Sequence, residues 1–152
     1  MPLWGGCEKY LILSLQKIQN KAARIVTRAN WFTPTEDLLL QCGWLSVNQL
    51  IVYHSLILVY KVLDKKSPVY LYEKLSGVFP YKTRFSTQEK IRIGGSQPAL
   101  RELSQRSFIC RSSKQWNQLP ALLKISPTVK TFKKELFKWV QNNVPTKPNI
   151  DD

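Results

Sequence analysis

Lys17, Lys21, Arg24 and Arg28 stand four, three and four residues apart, a spacing that lines side chains along one helix face and holds the positive charges about a turn apart. A second basic set, Lys82, Arg84, Arg92, Arg106, Arg111 and Lys114, lies between residues 76 and 118, where eight Lys and Arg outweigh two acidic residues. Cations so arranged form either a solvated face or a ridge that tracks phosphates, and the chain as a whole has the same sign: 23 Lys and Arg against 10 Asp and Glu give +13, with a pI near 9.9. A surface of that charge attracts polyanions. RNA or DNA is therefore the expected partner, held largely through phosphates, with steep salt dependence and little base preference. Phe85, Phe108 and Trp116 lie near the basic residues, where stacking on exposed bases would contribute about 1–3 kcal/mol each. For Trp116, followed by Leu119 and Pro120, the role of core anchor is the stronger reading.

Other chemistries find little to work with. Glu36 and Asp37 are adjacent carboxylates in the first turn of an expected helix, where they complement the helix dipole. His54 is the only histidine and sits in an apolar run, which reads as a hydrogen-bonded core residue with no triad partner in view. Cys7, Cys42 and Cys110 are too widely spaced for a Cys-x-x-Cys zinc pair, and their odd number suits reduced thiols. Gly94-Gly95 lacks the strand and helix that a phosphate cradle needs on either side. The sequence thus predicts no catalytic residue, no metal and no cofactor. It shows no secretory leader and no run of about 20 apolar residues. The expected setting is intracellular, nucleus or cytoplasm, neither secreted nor in a membrane.

The expected fold class is mainly α, a small helical bundle with a short β-hairpin or irregular basic segment in the middle. Within 9–28, Leu11, Leu15, Ile18, Ala22 and Ile25 recur at four-three spacing, an apolar stripe opposite the basic one. Thr33-Pro34-Thr35-Glu36 predicts a capped helix start, and Gly43 its C-terminal cap. Ser46 and Gln49 repeat the capping-box pattern ahead of a helix apolar on most of its circumference, ending before Ser67-Pro68. That helix is the expected centre of the core, with Tyr53, Tyr60 and Lys61 toward its rim.

Pro68 then opens one or two further turns. The pattern divides the chain into a helical region at 1–75, a basic loop-rich segment at 76–111, C-terminal helices at 112–144 packing on the first region, and a disordered tail at 145–152. In the loop-rich segment Lys90 to Ile93 alternates like a strand, and Ser107 to Cys110 is its expected partner. A short helix is expected at 112–118, and a last one after Ser126-Pro127-Thr128. In that last helix Val129, Phe132, Leu136 and Val140 face one way and Lys130, Lys133, Lys134 and Lys138 the other.

Several blocks also occur in a familiar order. Pro2-Leu-Trp-Gly-Gly-Cys7, Leu15-Gln-Lys-Ile-Gln-Asn-Lys-Ala-Ala-Arg-Ile-Val-Thr27, Thr33-Pro-Thr-Glu-Asp-Leu-Leu39 and Gly43-Trp-Leu45 come first. Tyr60-Lys-Val-Leu63, Pro68-Val-Tyr-Leu71, Arg106-Ser-Phe108, Trp116-Asn-Gln-Leu-Pro120 and Phe132-Lys-Lys-Glu-Leu136 follow. From Pro2 to about Val140 this order resembles the C-terminal part of the reverse transcriptase polyprotein of non-LTR (LINE-type) retrotransposons, where the first part is a helical thumb that grips template and primer. Neither the paired-aspartate palm motif nor an endonuclease is present in this sequence, so the resemblance implies nucleic-acid contact without DNA synthesis, and the polymerase portion as a further partner. Two other readings stand beside it. One is a protein-interaction or scaffold module; the other is a decayed element fragment, since Met1 falls in the middle of the family pattern.

Overall fold

The structure is a computed structural model that describes residues 6–76 and 107–146. Seven helices occupy these residues, with no strand among them: α1 (Lys9–Thr27), α2 (Thr35–Cys42), α3 (Val47–Lys65), α4 (Val69–Ser76), α5 (Phe108–Gln118), α6 (Ala121–Lys124) and α7 (Val129–Asn143). The mainly helical class expected from the sequence is the one observed.

α3 is the axis of the fold. Ser46 Oγ accepts from Gln49 N at 3.3 Å while Gln49 Oε1 accepts from Ser46 N at 3.0 Å, so the capping box is complete and two orphan amides are satisfied at the helix start. The helix then buries residues on nearly every side, because α1, α4, α5 and α7 all pack on it. At the other end Lys66 adopts the left-handed conformation that stops it, φ 50°.

The main core lies between α3 and the C-terminal helices. Phe132 is fully buried, stacked on Tyr60 with ring centroids 4.3 Å apart and packed obliquely on Trp116 at 6.1 Å. Tyr60 is therefore a core residue and not a rim residue: its hydroxyl donates to the Ser126 carbonyl at 2.6 Å, which satisfies the one polar atom that burial would strand. Trp116 is the anchor it was expected to be. α7 is capped by Thr128, whose Oγ1 accepts from Thr131 N, and it buries Phe132, Leu136 and Val140 as its spacing predicts.

Three other expectations are corrected. Ser107 to Cys110 is not a strand: Ser107 Oγ accepts from Cys110 N and caps α5, which begins at Phe108 and so crosses the boundary expected at 111. Lys90 to Ile93 lies outside the described residues. Thr33 makes no cap, because α2 starts one residue later behind Pro34, and Glu36 instead accepts from the Thr146 hydroxyl at 3.0 Å. The chain at 145–146 is consequently held, with Asn48 also donating to the Pro145 carbonyl; 147–152 is outside the described residues. Gly43, at φ 65°, does close α2 as expected.

The α1–α2 pair packs differently from the rest. Ile12 meets Val47 and Ile51, and Ala23 meets Leu38 and Leu39, but the joint to α3 is largely made by amides. Gln16 Oε1 accepts from Val47 N at 2.8 Å and Gln19 Nε2 donates to the Leu45 carbonyl at 2.8 Å. The apolar stripe read from the sequence faces solvent: Leu11, Leu15, Ile18 and Ile25 are all exposed, Ile25 at 77%.

This asymmetry predicts unequal sensitivity. Phe132→Ala should destabilise the fold by about 3–5 kcal/mol, as for a large core side chain removed from a filled site. Ile25→Ala should change stability by less than about 0.5 kcal/mol. Urea unfolding followed by circular dichroism measures both.

Candidate nucleic-acid interface

α1 has three faces. At about 100° per residue, Ile12, Gln16, Gln19, Ala23 and Thr27 form the inner face, and Leu11, Leu15, Ile18, Ala22 and Ile25 lie on one side of it. Lys17, Lys21, Arg24 and Arg28 lie on the other. Lys17, Lys21 and Arg28 are exposed and spread over about 16 Å of helix axis. None is paired with a carboxylate among the described residues.

Arg24 differs from its neighbours. Its guanidinium sits 5.0 Å from the centroid of the Trp31 ring, and Nη2 donates to the carbonyls of Trp31 and Thr33, both at 3.3 Å. Asn30 Oδ1 accepts from Trp31 N in the same turn. Arg24 thus ties the α1–α2 loop to the helix, a task that competes with any phosphate for the same donors.

The remaining expected contacts separate. Lys114 is exposed on α5, whereas Arg111 is half-buried there, and that burial pushes its guanidinium below the usual arginine range. Lys82, Arg84, Arg92 and Arg106, like Phe85, fall outside the described residues. Phe108 is half-buried against the main core and Trp116 is buried in it, so neither of these rings is presented for stacking.

A second basic surface, absent from the expected contacts, lies where α7 crosses α3. Lys130, Lys133, Lys134 and Lys138 are exposed on α7 and rim an open cleft of about 410 Å³ whose apolar lining is Tyr53 and Phe137. The rings meet edge to face at 6.1 Å and 88°. Tyr53 Oη lies 3.4 Å from the Lys133 carbonyl and donates to it, and its half-burial raises the phenol pKa. His54 is on the surface, not in the core: its ring stands 5.4 Å from Tyr53. Partial burial, with the positive field of Lys133 adding, holds the His54 pKa below its usual value. The lysine spacing was visible in the sequence as the polar side of an amphipathic helix. What makes it a concave site is Tyr53, brought in from 80 residues away.

Among the described residues no three His, Cys, Asp or Glu side chains converge as metal ligands, and no disulfide joins the three cysteines. No single helix among them is long and apolar enough to cross a membrane. α2 and α3, bent by 45°, pass on length and composition together, but α3 is a core helix buried on most of its surface.

No protein-family model matches the chain, and neither the curated proteins nor the solved structures contain a match to it.

The two roles of the α1 cations separate by stability. Arg24→Ala should cost about 1 kcal/mol through the lost charged hydrogen bonds and ring contact, while Lys17→Ala and Lys21→Ala stay within about 0.5 kcal/mol of wild type. Equal midpoints for all three variants in chemical denaturation would remove the tether role.

Proposed function

We propose that this chain is a non-catalytic nucleic-acid-binding segment of a LINE-type reverse transcriptase, contacting RNA or template-primer duplex through its basic surface. The observation that supports this best is a set of seven exposed cations, Lys17 and Lys21 on α1, Arg28 at its left-handed C-cap, and Lys130, Lys133, Lys134 and Lys138 on α7. None of them is neutralised by a carboxylate among the described residues. Keeping like charges three and four residues apart on α7 costs helix stability. Phosphates would remove that cost by neutralising the charges. The resemblance of the ordered sequence blocks to the tail of such polymerases points to the same class of partner.

Fluorescence anisotropy with labelled RNA and DNA tests it. If four to seven phosphates are neutralised, the slope of log K against log salt should be about −3 to −5 on a single strand. Lys133→Gln with Lys134→Gln should make it shallower by about 1.4. Absent binding, or binding indifferent to salt, would sink the proposal.

One observation favours a second reading, a protein-interaction module. The exposed Leu11, Leu15, Ile18 and Ile25 form a continuous apolar ridge with cations at its flank, which suits a partner helix with a matching apolar seam and an acidic edge. A second copy of the chain would be a poor occupant, since its net charge is the same +13. The polymerase portion implied by the resemblance is the natural place to look for such a helix. Leu15→Asp with Ile18→Asp, both at exposed positions, should keep the fold and reduce at least tenfold the acidic helical protein retained by this chain in a pull-down performed after nuclease treatment. Full recovery with the double variant would exclude this surface.

A further inference from the structure

We propose that the α3–α7 cleft seats an unpaired base of a single-stranded nucleic acid, its ring against Tyr53 and Phe137 and the flanking phosphates on Lys130, Lys133, Lys134 and Lys138. This rests on the nucleic-acid reading and narrows it to a class of ligand and a place.

The arrangement differs from an ordinary solvated lysine face in what stands at its centre. On the helical wheel Phe137 falls between Lys133 and Lys130, amid the cations and away from the inward row of Phe132, Leu136 and Val140. Phe137 is partly buried against the main core, and the edge of its ring left exposed lies amid the four cations, where a base held by its phosphates would meet an apolar surface. Tyr53 supplies the second ring. Its position is fixed by the edge-to-face contact with Phe137 and by the hydrogen bond to the Lys133 carbonyl, so little side-chain freedom remains to be lost when a base docks.

The cleft is shallow and open to solvent, so it suits one base of a longer strand resting against it and not a ligand that it would enclose. The four lysines span about 12 Å along α7, long enough to meet phosphates on either side of the seated nucleotide. A duplex satisfies the lysines but not the rings, because its bases are already paired and stacked. An acidic peptide leaves the rings idle unless an apolar side chain accompanies its carboxylates. An unpaired base flanked by its phosphates brings both contacts in each repeating unit of the strand.

Anisotropy on the full chain decides it with three labelled DNAs of equal length: a mixed-sequence single strand, a duplex, and an abasic strand that keeps every phosphate and lacks the bases. Wild-type protein should bind the base-bearing strand about 5- to 150-fold more tightly than the abasic one, the range expected for one stacked base. Tyr53→Leu and Phe137→Leu should each erase most of that difference while duplex affinity stays within twofold, and Tyr53→Phe, which keeps the ring, should retain it. Equal affinity of wild type for base-bearing and abasic strands would overturn the cleft assignment while leaving phosphate binding intact. So would a base-dependent difference that survives in both leucine variants, which would place stacking elsewhere. Failure of wild type to bind any of the three would overturn the broader nucleic-acid reading as well. The abasic comparison needs no variant, so loss of folding in a leucine variant does not protect the proposal. A tight, salt-sensitive complex with poly-glutamate that also requires both rings would count against it.

Discussion

The stack of Tyr60 on Phe132, closed by Trp116, is the contact on which the rest of the arrangement depends. It joins α3, α5 and α7 at one point, and the Tyr60 hydroxyl reaches the Ser126 carbonyl just ahead of α7. At the other end of α3 Gln49 donates to the Val144 carbonyl at 2.8 Å while its Oε1 completes the capping box. Two ties at opposite ends fix α7 antiparallel to α3, and they fix its rotation. Phe132, Leu136 and Val140 must then face inward, which leaves the lysines and Phe137 toward Tyr53. The cleft follows from the core packing.

Gln49 shows how much can rest on a polar residue inside a core. It is buried, and both ends of its amide are used, one on the backbone of its own helix start and one on the end of a helix 95 residues later. Removing it would leave the buried Ser46 N–H and the part-buried Val144 carbonyl without these partners, and a buried donor left unsatisfied costs more than the hydrogen bond contributed. The same logic governs Gln16 and Gln19 on α1. Amides there do the work that aliphatic side chains do elsewhere, because the groups they meet, Val47 N and the Leu45 carbonyl, belong to the irregular backbone just before and at the start of α3.

How legible the fold was depended on whether local chemistry or distant contact decided each element. The Ser46–Gln49 box, Gly43 and the spacing of Phe132, Leu136 and Val140 carry their own reasons, and the helices they mark are where the sequence places them. α1 defeats periodicity because its buried face is chosen by hydrogen bonds and the small Ala23, so the most hydrophobic stripe is left outside. Ser107 to Cys110 is expected as a strand only because Lys90 to Ile93 alternates, whereas Ser107 ahead of an amphipathic run is a helix cap. Tyr60, expected at the rim, is buried because its hydroxyl finds a carbonyl 66 residues away. The lysines of α7 were plain, but their meaning depends on a ring from α3.

The placement of cations on two helices bears on how the rival readings relate. On α1 the basic and apolar stripes each lie roughly 120° from the inner face, so a protein partner on the apolar ridge would approach from a different direction than a phosphate backbone on Lys17, Lys21 and Arg28. Arg24, drawn back to hold Trp31, thins the basic stripe where the two surfaces come closest to the loop. α7 has no such division: Phe137 lies within its lysine face and its aliphatic side chains are spent on the core. The lysine rim on the α3–α7 side surrounds two rings, Tyr53 and Phe137, that also pack on the main core, and it lies away from the α1 ridge. A chain that bound only phosphates would have no use for an exposed aliphatic ridge on α1. The two features are accounted for together if α1 joins the segment to a protein neighbour while α7 and the outer face of α1 hold the strand.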